Sequence, residues 1–393
     1  MPPLLGRRHQ GVGRCENSLD RGHIVRGMTV PSGYFVTICD PRGLTDEQIA
    51  ESWRLQDAIR AEFYPEEPAG ELNAVIAATR AMPARWGVWR LRVHDEAGQL
   101  VAGSSVFKDW QNDTNPDVGS LYANVLAGHR GRGLGTALLA WQVAFHQALG
   151  AARALVGTDS RLPHSETLVR RLGAECKTVE HENRLALADV DRHLLERWTT
   201  DPASRDYELV FIDGRVPDEL AQAYVEVVLV MNTAPRDDLE LNDFTYSVEE
   251  LREQEAQQRA AGGRTWLLLA RHVASGELVG VHSLAFTPHD VKKAFVGITG
   301  VLPAHRGHRL GRRLKAELTL RLLTEQPQIE CVVTGNADSN EAMLTINREM
   351  GYRPHASGAT WEVQRSHLEG LLAHRGVEIP SEQAAQAVAA QSG

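Results

Sequence analysis

Apolar and polar positions along this chain set out the same series of elements twice. Residues 33–39 alternate in the manner of a half-buried strand. A helix is predicted over 45–63, with Thr45 placed to cap it and Asp46 and Glu47 in its first turn. Runs at 86–95 and 100–108, joined by Glu96-Ala97-Gly98, read as a hairpin. A polar loop, 109–117, leads to a strand at 121–126, and a helix follows over 136–149. The series then restarts. A strand is predicted at 207–212, a helix at 218–231, and a second helix at 247–261 that opens with capping-box spacing from Ser247 to Glu250. A hairpin over 266–272 and 278–286 turns at Ser275-Gly276, and a strand at 294–301 precedes a helix at 312–323.

The two series share wording as well as order. Gly98-Gln99-Leu100-Val101 in the first answers Gly276-Glu277-Leu278-Val279 in the second. Duplication of one large unit accounts for this better than two unrelated domains. Each copy is expected to be a mixed α/β domain on a splayed, mostly antiparallel sheet. The expected boundaries are 28–198 and 207–370, with a turn-rich linker at 199–206. The tail, 371–393, is Ala- and Gln-rich near its end and shows no amphipathic stripe, so a frayed end is expected. Residues 1–27 mix arginines with Gly and His without periodicity and read as a disordered extension upstream of an expected start at Met28.

The most informative repeat is a loop. Val125 to Gly135 reads VLAGHRGRGLG, and Val301 to Gly311 reads VLPAHRGHRLG. Arg130 and Arg306 stand 176 positions apart. In each case an apolar strand enters the loop and a helix leaves it. Such a loop is an anion site: glycines allow close backbone approach, free amides point inward, and the helix dipole adds positive potential. A phosphorylated ligand is implied.

Composition narrows the field. At 393 residues with 42% hydrophobic side chains, the chain can build two cores. A net charge of −9 without a basic run argues against nucleic acid as a partner. No apolar stretch reaches spanning length, so no membrane partner is expected. Cys15, Cys39, Cys176 and Cys331 are far apart and form no metal-binding spacing, which predicts free thiols, a cytoplasmic setting and no metal.

The Arg-x-x-Gly-x-Gly loop in this strand order resembles the acetyl-CoA loop of the GNAT acetyltransferase superfamily, over nearly all of 33–190 and 205–365. The resemblance implies two tandem GNAT-like acyl-CoA N-acyltransferase domains, similar in architecture alone to mycothiol synthases. It implies acetyl-CoA as cofactor and a small-molecule amine as partner. In the first copy it places the cofactor at Val125, Arg130, Gly131, Arg132, Gly133, Gly135 and Thr136. In the second it places it at Leu302, Arg306, Gly307, His308, Arg309, Gly311 and Arg312. Beyond the second loop, a strand at 329–334, a helix at 341–349 and Gly351-Tyr352 match the family's acyl end, with Asn336 and Asn340 as pantetheine partners. Both asparagines also suit helix caps.

The resemblance assigns the catalytic positions to Val301, whose N–H would polarise the thioester carbonyl, and to Asn347. Asn347 stands where the family often has a tyrosine acid; it can hydrogen-bond sulfur or pantetheine but cannot donate a proton at useful pKa. The first copy has Val169 there, so chemistry is expected mainly in the second. The alternative is a non-catalytic acyl-CoA-binding or regulatory protein. Arg309 replaces a motif glycine: at φ > 0 it would be strained, and in a helical conformation it would be tolerated. His129 and His305 flank the loops without marking a base. The acidic stretch 232–244 is either a solvated loop or an anionic mouth that attracts an amine.

Overall fold

The structure is a computed structural model that describes residues 23–25, 30–162 and 164–392. Most of the expected extension therefore lies outside the described residues. Within it, however, His23–Val25 forms a strand, β1, paired antiparallel with β2 (Tyr34–Cys39). Helix α1 (Asp46–Phe63) starts at a full capping box between Thr45 and Gln48. A second helix, α2 (Leu72–Arg80), was not foreseen. The hairpin β3 (Trp86–Asp95) and β4 (Leu100–Asp109) follows as predicted.

The single strand expected at 121–126 is instead two short ones. β5 (Val118–Ser120) and β6 (Ala123–Val125) belong to different sheets. The split is the splay itself: β6 stays on β4, while β5 pairs in parallel with β7 (Arg153–Asp159) beyond α3 (Leu134–Leu149). Then come α4 (Ser165–Arg171), β8 (Glu175–Ala186) and α5 (Arg192–Thr199).

The second copy runs β9 (Tyr207–Asp213), α6 (Asp218–Val228), α7 (Val248–Ala260), β10 (Arg264–His272), β11 (Leu278–Thr287) and β12 (Asp290–Val301). Ser247 and Glu250 close the predicted capping box on α7. After the second loop come α8 (Leu310–Glu325), β13 (Cys331–Ala337), α9 (Glu341–Met350), β14 (Arg353–Gln364), α10 (Arg365–His374) and α11 (Ser381–Ala389).

The two copies exchange their last strands. One sheet has the order β5-β7-β14-β8-β13-β12-β11-β10-β9. Strand β14, from the second copy, pairs with β7 of the first, and β8, from the first, pairs with β13 of the second. The exchange is symmetric: Asp159 faces Gly358 in one pairing, and Ala337 faces Glu180 in the other, each residue shifted by 178 positions, the offset between β7 and β13 and between β8 and β14. The helices follow their strands. Leu195 and Trp198 of α5 join the core of the second copy with Leu314 and Leu318 of α8. Leu368 and Leu372 of α10 join Leu139, Ala140 and Val143 of α3.

The tail is not a frayed end. Ala384 on α11 is fully buried in the core around Trp141 and Trp89, the Trp89 indole N–H donates to the Ala387 carbonyl, and the Gln391 amide pairs with the Val88 backbone. A stripe of alanines was too weakly apolar to mark this contact in the sequence. Among the described residues no helix is long and apolar enough to cross a membrane.

Candidate functional site

Both loops are built alike, residue for residue. A short 3-10 turn, Ala127–His129 or Pro303–His305, ends in an extended arginine. His129 Nδ1 lies 3.0 Å from the Tyr34 hydroxyl, and His305 Nδ1 lies 3.1 Å from that of Tyr207. Both loop histidines thus tie the loop to the first long strand of their copy, a role the sequence left open. Arg130 Nε donates to the Val125 carbonyl at 3.0 Å, and Arg306 Nε to the Val301 carbonyl at 3.1 Å. Gly131 and Gly307 take positive φ, at 72° and 84°. Gly133 caps α3 at φ 86°, and its counterpart Arg309 caps α8 at φ 58°. Of the two conformations open to Arg309, the left-handed one is realised, at a cost of about 1–2 kcal/mol for a residue with a Cβ. Its guanidinium pairs with Asp201 at 2.7 Å.

The helix starts supply the donors. On α8 the first bond runs from the Arg313 N–H to the Arg309 carbonyl, which leaves the amides of Leu310, Gly311 and Arg312 without intrahelical acceptors. On α3 the corresponding free amides are those of Leu134, Gly135 and Thr136. A Cβ at Gly135 or Gly307 meets nothing within 4 Å, and one at Gly311 meets only Ile346 Cδ1 at 3.4 Å. The second loop gathers Arg306, His308, Arg309 and Arg312 on exposed or half-exposed positions of an otherwise acidic chain. Arg306 also donates to the Thr233 hydroxyl at 2.6 Å, whereas Arg130 is held by both oxygens of Glu62 at 2.5 and 2.6 Å. Arg130 in turn holds the Glu62 carboxyl below its ordinary range. The first loop's arginine is therefore already paired with a carboxylate, and Arg132 donates to the Tyr34 hydroxyl.

The strands part beside each loop. β12 and β13 pair only from Lys293↔Cys331 to Phe295↔Val333 and then diverge. The Leu302 N–H is spent on the Val279 carbonyl at 2.8 Å. Alternation then turns the N–H and carbonyl of Val301 to the opposite edge, where the strands have parted. A cavity of about 290 Å³ lies at the parting, lined by Phe295, Val296, Val333 and Thr334 and by Glu180 and Glu182 of the exchanged β8. Sequence reasoning missed these β8 residues because nothing local marks an exchanged strand. Beside it, a cavity of about 300 Å³ is walled by ion pairs: Arg161 with Asp159 at 2.8 Å, and Arg184 with Glu67 at 2.6 Å and Glu182 at 2.7 Å. Glu66, Glu67 and His355 bring ligand atoms within 4.8 Å of one another, but Glu67 is already bound by Arg184 and Lys293.

The residues expected at the acyl end take unequal positions. Asn340 is the N-cap of α9 and accepts the Met343 N–H, so its oxygen serves the helix. Asn347 is buried, not open to a ligand: its Oδ1 accepts from Lys315 Nζ at 2.7 Å, and its Nδ2 donates to Asn336 Oδ1 at 2.6 Å. Asn336 is half-buried on β13, three residues beyond the last β12–β13 pair. The acidic stretch is also committed in part. Asp237, at φ 49°, accepts from the Thr178 hydroxyl at 2.7 Å; hydrogen bonds from Ser339 and Thr178 hold its carboxyl low; and Arg236 binds Asp243.

Residues 232–352 match the sequence model of the acetyltransferase (GNAT) family, which assigns the second copy to acyl transfer in general. Among solved structures, a tandem GNAT protein from the clavulanic acid biosynthesis pathway, solved without AcCoA, is 22% identical with a TM-score of 0.70, over 84% of this chain and 98% of that one. A GCN5-related N-acetyltransferase from Sphaerobacter thermophilus is 17% identical with a TM-score of 0.60, over 86% and 97%. A search of curated proteins finds no match. The chain has a tandem GNAT fold.

Proposed function

We propose that the protein is an N-acetyltransferase that moves acetyl from acetyl-CoA to the amine of a small molecule, with chemistry in the second copy. The observation that carries this is the second loop: three free amides at the start of α8, beside a cationic edge and a parted strand pair. The Leu310, Gly311 and Arg312 amides and the α8 dipole would hold the pyrophosphate. Acetyl-CoA would supply the acetyl thioester. The Val301 N–H would donate to the thioester oxygen as negative charge develops there, and the cleft would fix the approach of the amine. Glu180 is exposed at the cavity rim, and among the described residues no hydrogen bond or ion pair engages its carboxylate. It would receive the ammonium and, through water, its proton. The free thiols of Cys39, Cys176 and Cys331 support a cytoplasmic setting.

A turnover assay that detects released thiol over a panel of small amines tests this. Thiol release with at least one amine is expected. CoA binding without release for every amine would instead establish the non-catalytic binding protein.

A further inference from the structure

Lys315 stands in the core of the second copy on α8, only 1% exposed. Among the described residues no carboxylate forms an ion pair with it, and its Nζ sits 5.1 Å from the centre of the Tyr352 ring. An apolar side chain would fill this place at lower cost, since an unpaired buried charge is expensive. The first copy shows as much, with Leu139 at the position 176 residues earlier. Packing therefore does not explain the amine. Its hydrogen bonds do. A protonated lysine only donates. It fixes the Asn347 amide with oxygen inward, so Asn347 Nδ2 must face Asn336, and Asn336 must turn its own oxygen to meet it. The Asn336 Nδ2 group is left as a donor at the parted edge of β13, and no described residue accepts from it.

We infer that Lys315 is a positioning residue that fixes Asn336 as a hydrogen-bond donor, so that the group bound there is an acceptor, namely an amide carbonyl in the arm of the acyl donor. Without the ammonium, both asparagine amides can turn over, and Asn336 offers donor or acceptor alike. Asn336→Asp makes the reverse test, because a carboxylate at 336 can still accept from Asn347 but can offer the ligand no donor. The inference rests on the reading of the second cleft as the acyl-CoA site.

The test is CoA binding by calorimetry at pH 6, where Lys315 keeps its proton, with thermal midpoints on the same samples, for wild type, Lys315→Met and Asn336→Asp in the full chain. Lys315→Met is expected to bind CoA about three- to ten-fold more weakly, the value of one directed hydrogen bond, while its midpoint rises. Asn336→Asp is expected to lose at least ten-fold with its midpoint held. Wild type that binds no CoA overturns the proposed function itself. Wild type that binds, with Lys315→Met binding equally well, overturns this inference alone. A fall in both affinity and midpoint for Lys315→Met assigns Lys315 a structural role and overturns it too. Unchanged affinity in Asn336→Asp does so as well, even if Lys315→Met does not fold.

Discussion

A buried ammonium with no counter-ion has a cost that depends on pH, and Lys315 makes that cost measurable. Burial pushes its pKa down to about 7. In the unfolded chain a lysine holds its proton to about pH 10.4. Between those values the unfolded chain binds one proton more than the folded chain, so stability rises with pH, by up to about 1.4 kcal/mol per unit. The groups that face Lys315 leave this window clear. His282 is buried with its pKa pushed down to about 3 by desolvation and by Lys315, and burial pushes the Tyr352 hydroxyl well up. Asn347 does not titrate. From pH 7 to pH 9 the relief amounts to roughly 2 kcal/mol, or about 2–3 °C in Tm for a chain of 393 residues unfolding as one unit. Lys315→Met keeps a similar volume without the charge. It should be more stable than wild type at pH 7, and its advantage should shrink by roughly 2 kcal/mol by pH 9. Taking the difference between the two proteins cancels every titration they share. Urea denaturation at pH 7, 8 and 9 supplies the values. An advantage that stays flat with pH, or a Met variant less stable than wild type at pH 7, refutes an unpaired buried charge at this site.

Other substitutions test the loops and the cavity. Gly311→Glu should abolish CoA binding at the second loop without unfolding it, since only Ile346 lies near the added Cβ; retained affinity in a protein lacking the first-loop site would remove the pyrophosphate assignment. Gly133→Glu, at φ 86° and with Pro31 Cγ 3.2 Å from the new Cβ, should lower stability by about 1–3 kcal/mol while sparing turnover more than Gly311→Glu does; equal losses of turnover would show that the catalytic copy is misassigned. Glu180→Gln should raise the acceptor KM several-fold at low ionic strength, with the effect fading as salt rises, and an unchanged KM would take Glu180 out of the acceptor site. Arg309→Gly should stabilise the fold by about 1 kcal/mol through relief of its left-handed φ, and a net loss in urea would show that the Asp201 ion pair outweighs the strain.

What the sequence made legible were features carried by local chemistry. The Thr45 and Ser247 capping boxes, the hairpin turns, and the two Arg/Gly loops each depend on residues a few positions apart. Asn336 and Asn340 were marked together, and only the structure separates the partner of Asn347 from a helix cap. Asn347 was placed on the right helix, but its partner was invisible. Lys315 sits in an ordinary helical stretch, and no spacing in the sequence shows that α8 turns it inward. Long-range pairing was the main loss. Strands β8 and β14 have the same composition whether they close their own copy or the other one, because the exchange repeats each pairing at a shift of 178.

That exchange bears on why a first copy with a weak acyl end is kept. Its loop arginine is occupied by Glu62, it has Val169 at the place of Asn347, and Leu139 stands for Lys315. On those grounds the first copy could be lost. Yet β8, which borders β13 throughout the region where β12 departs, comes from it, together with the Glu180 and Glu182 side chains at the second cavity. Glu67, from the segment after α1, reaches across to Arg184 and Lys293 beside the same cavity. The second copy returns the service with β14, α10 and α11, which cover α3 and bury Trp361, Leu368 and Ala384. Neither half has a complete sheet or core without the other. A cleft that takes one wall from each copy needs both copies folded, whichever of them performs the chemistry.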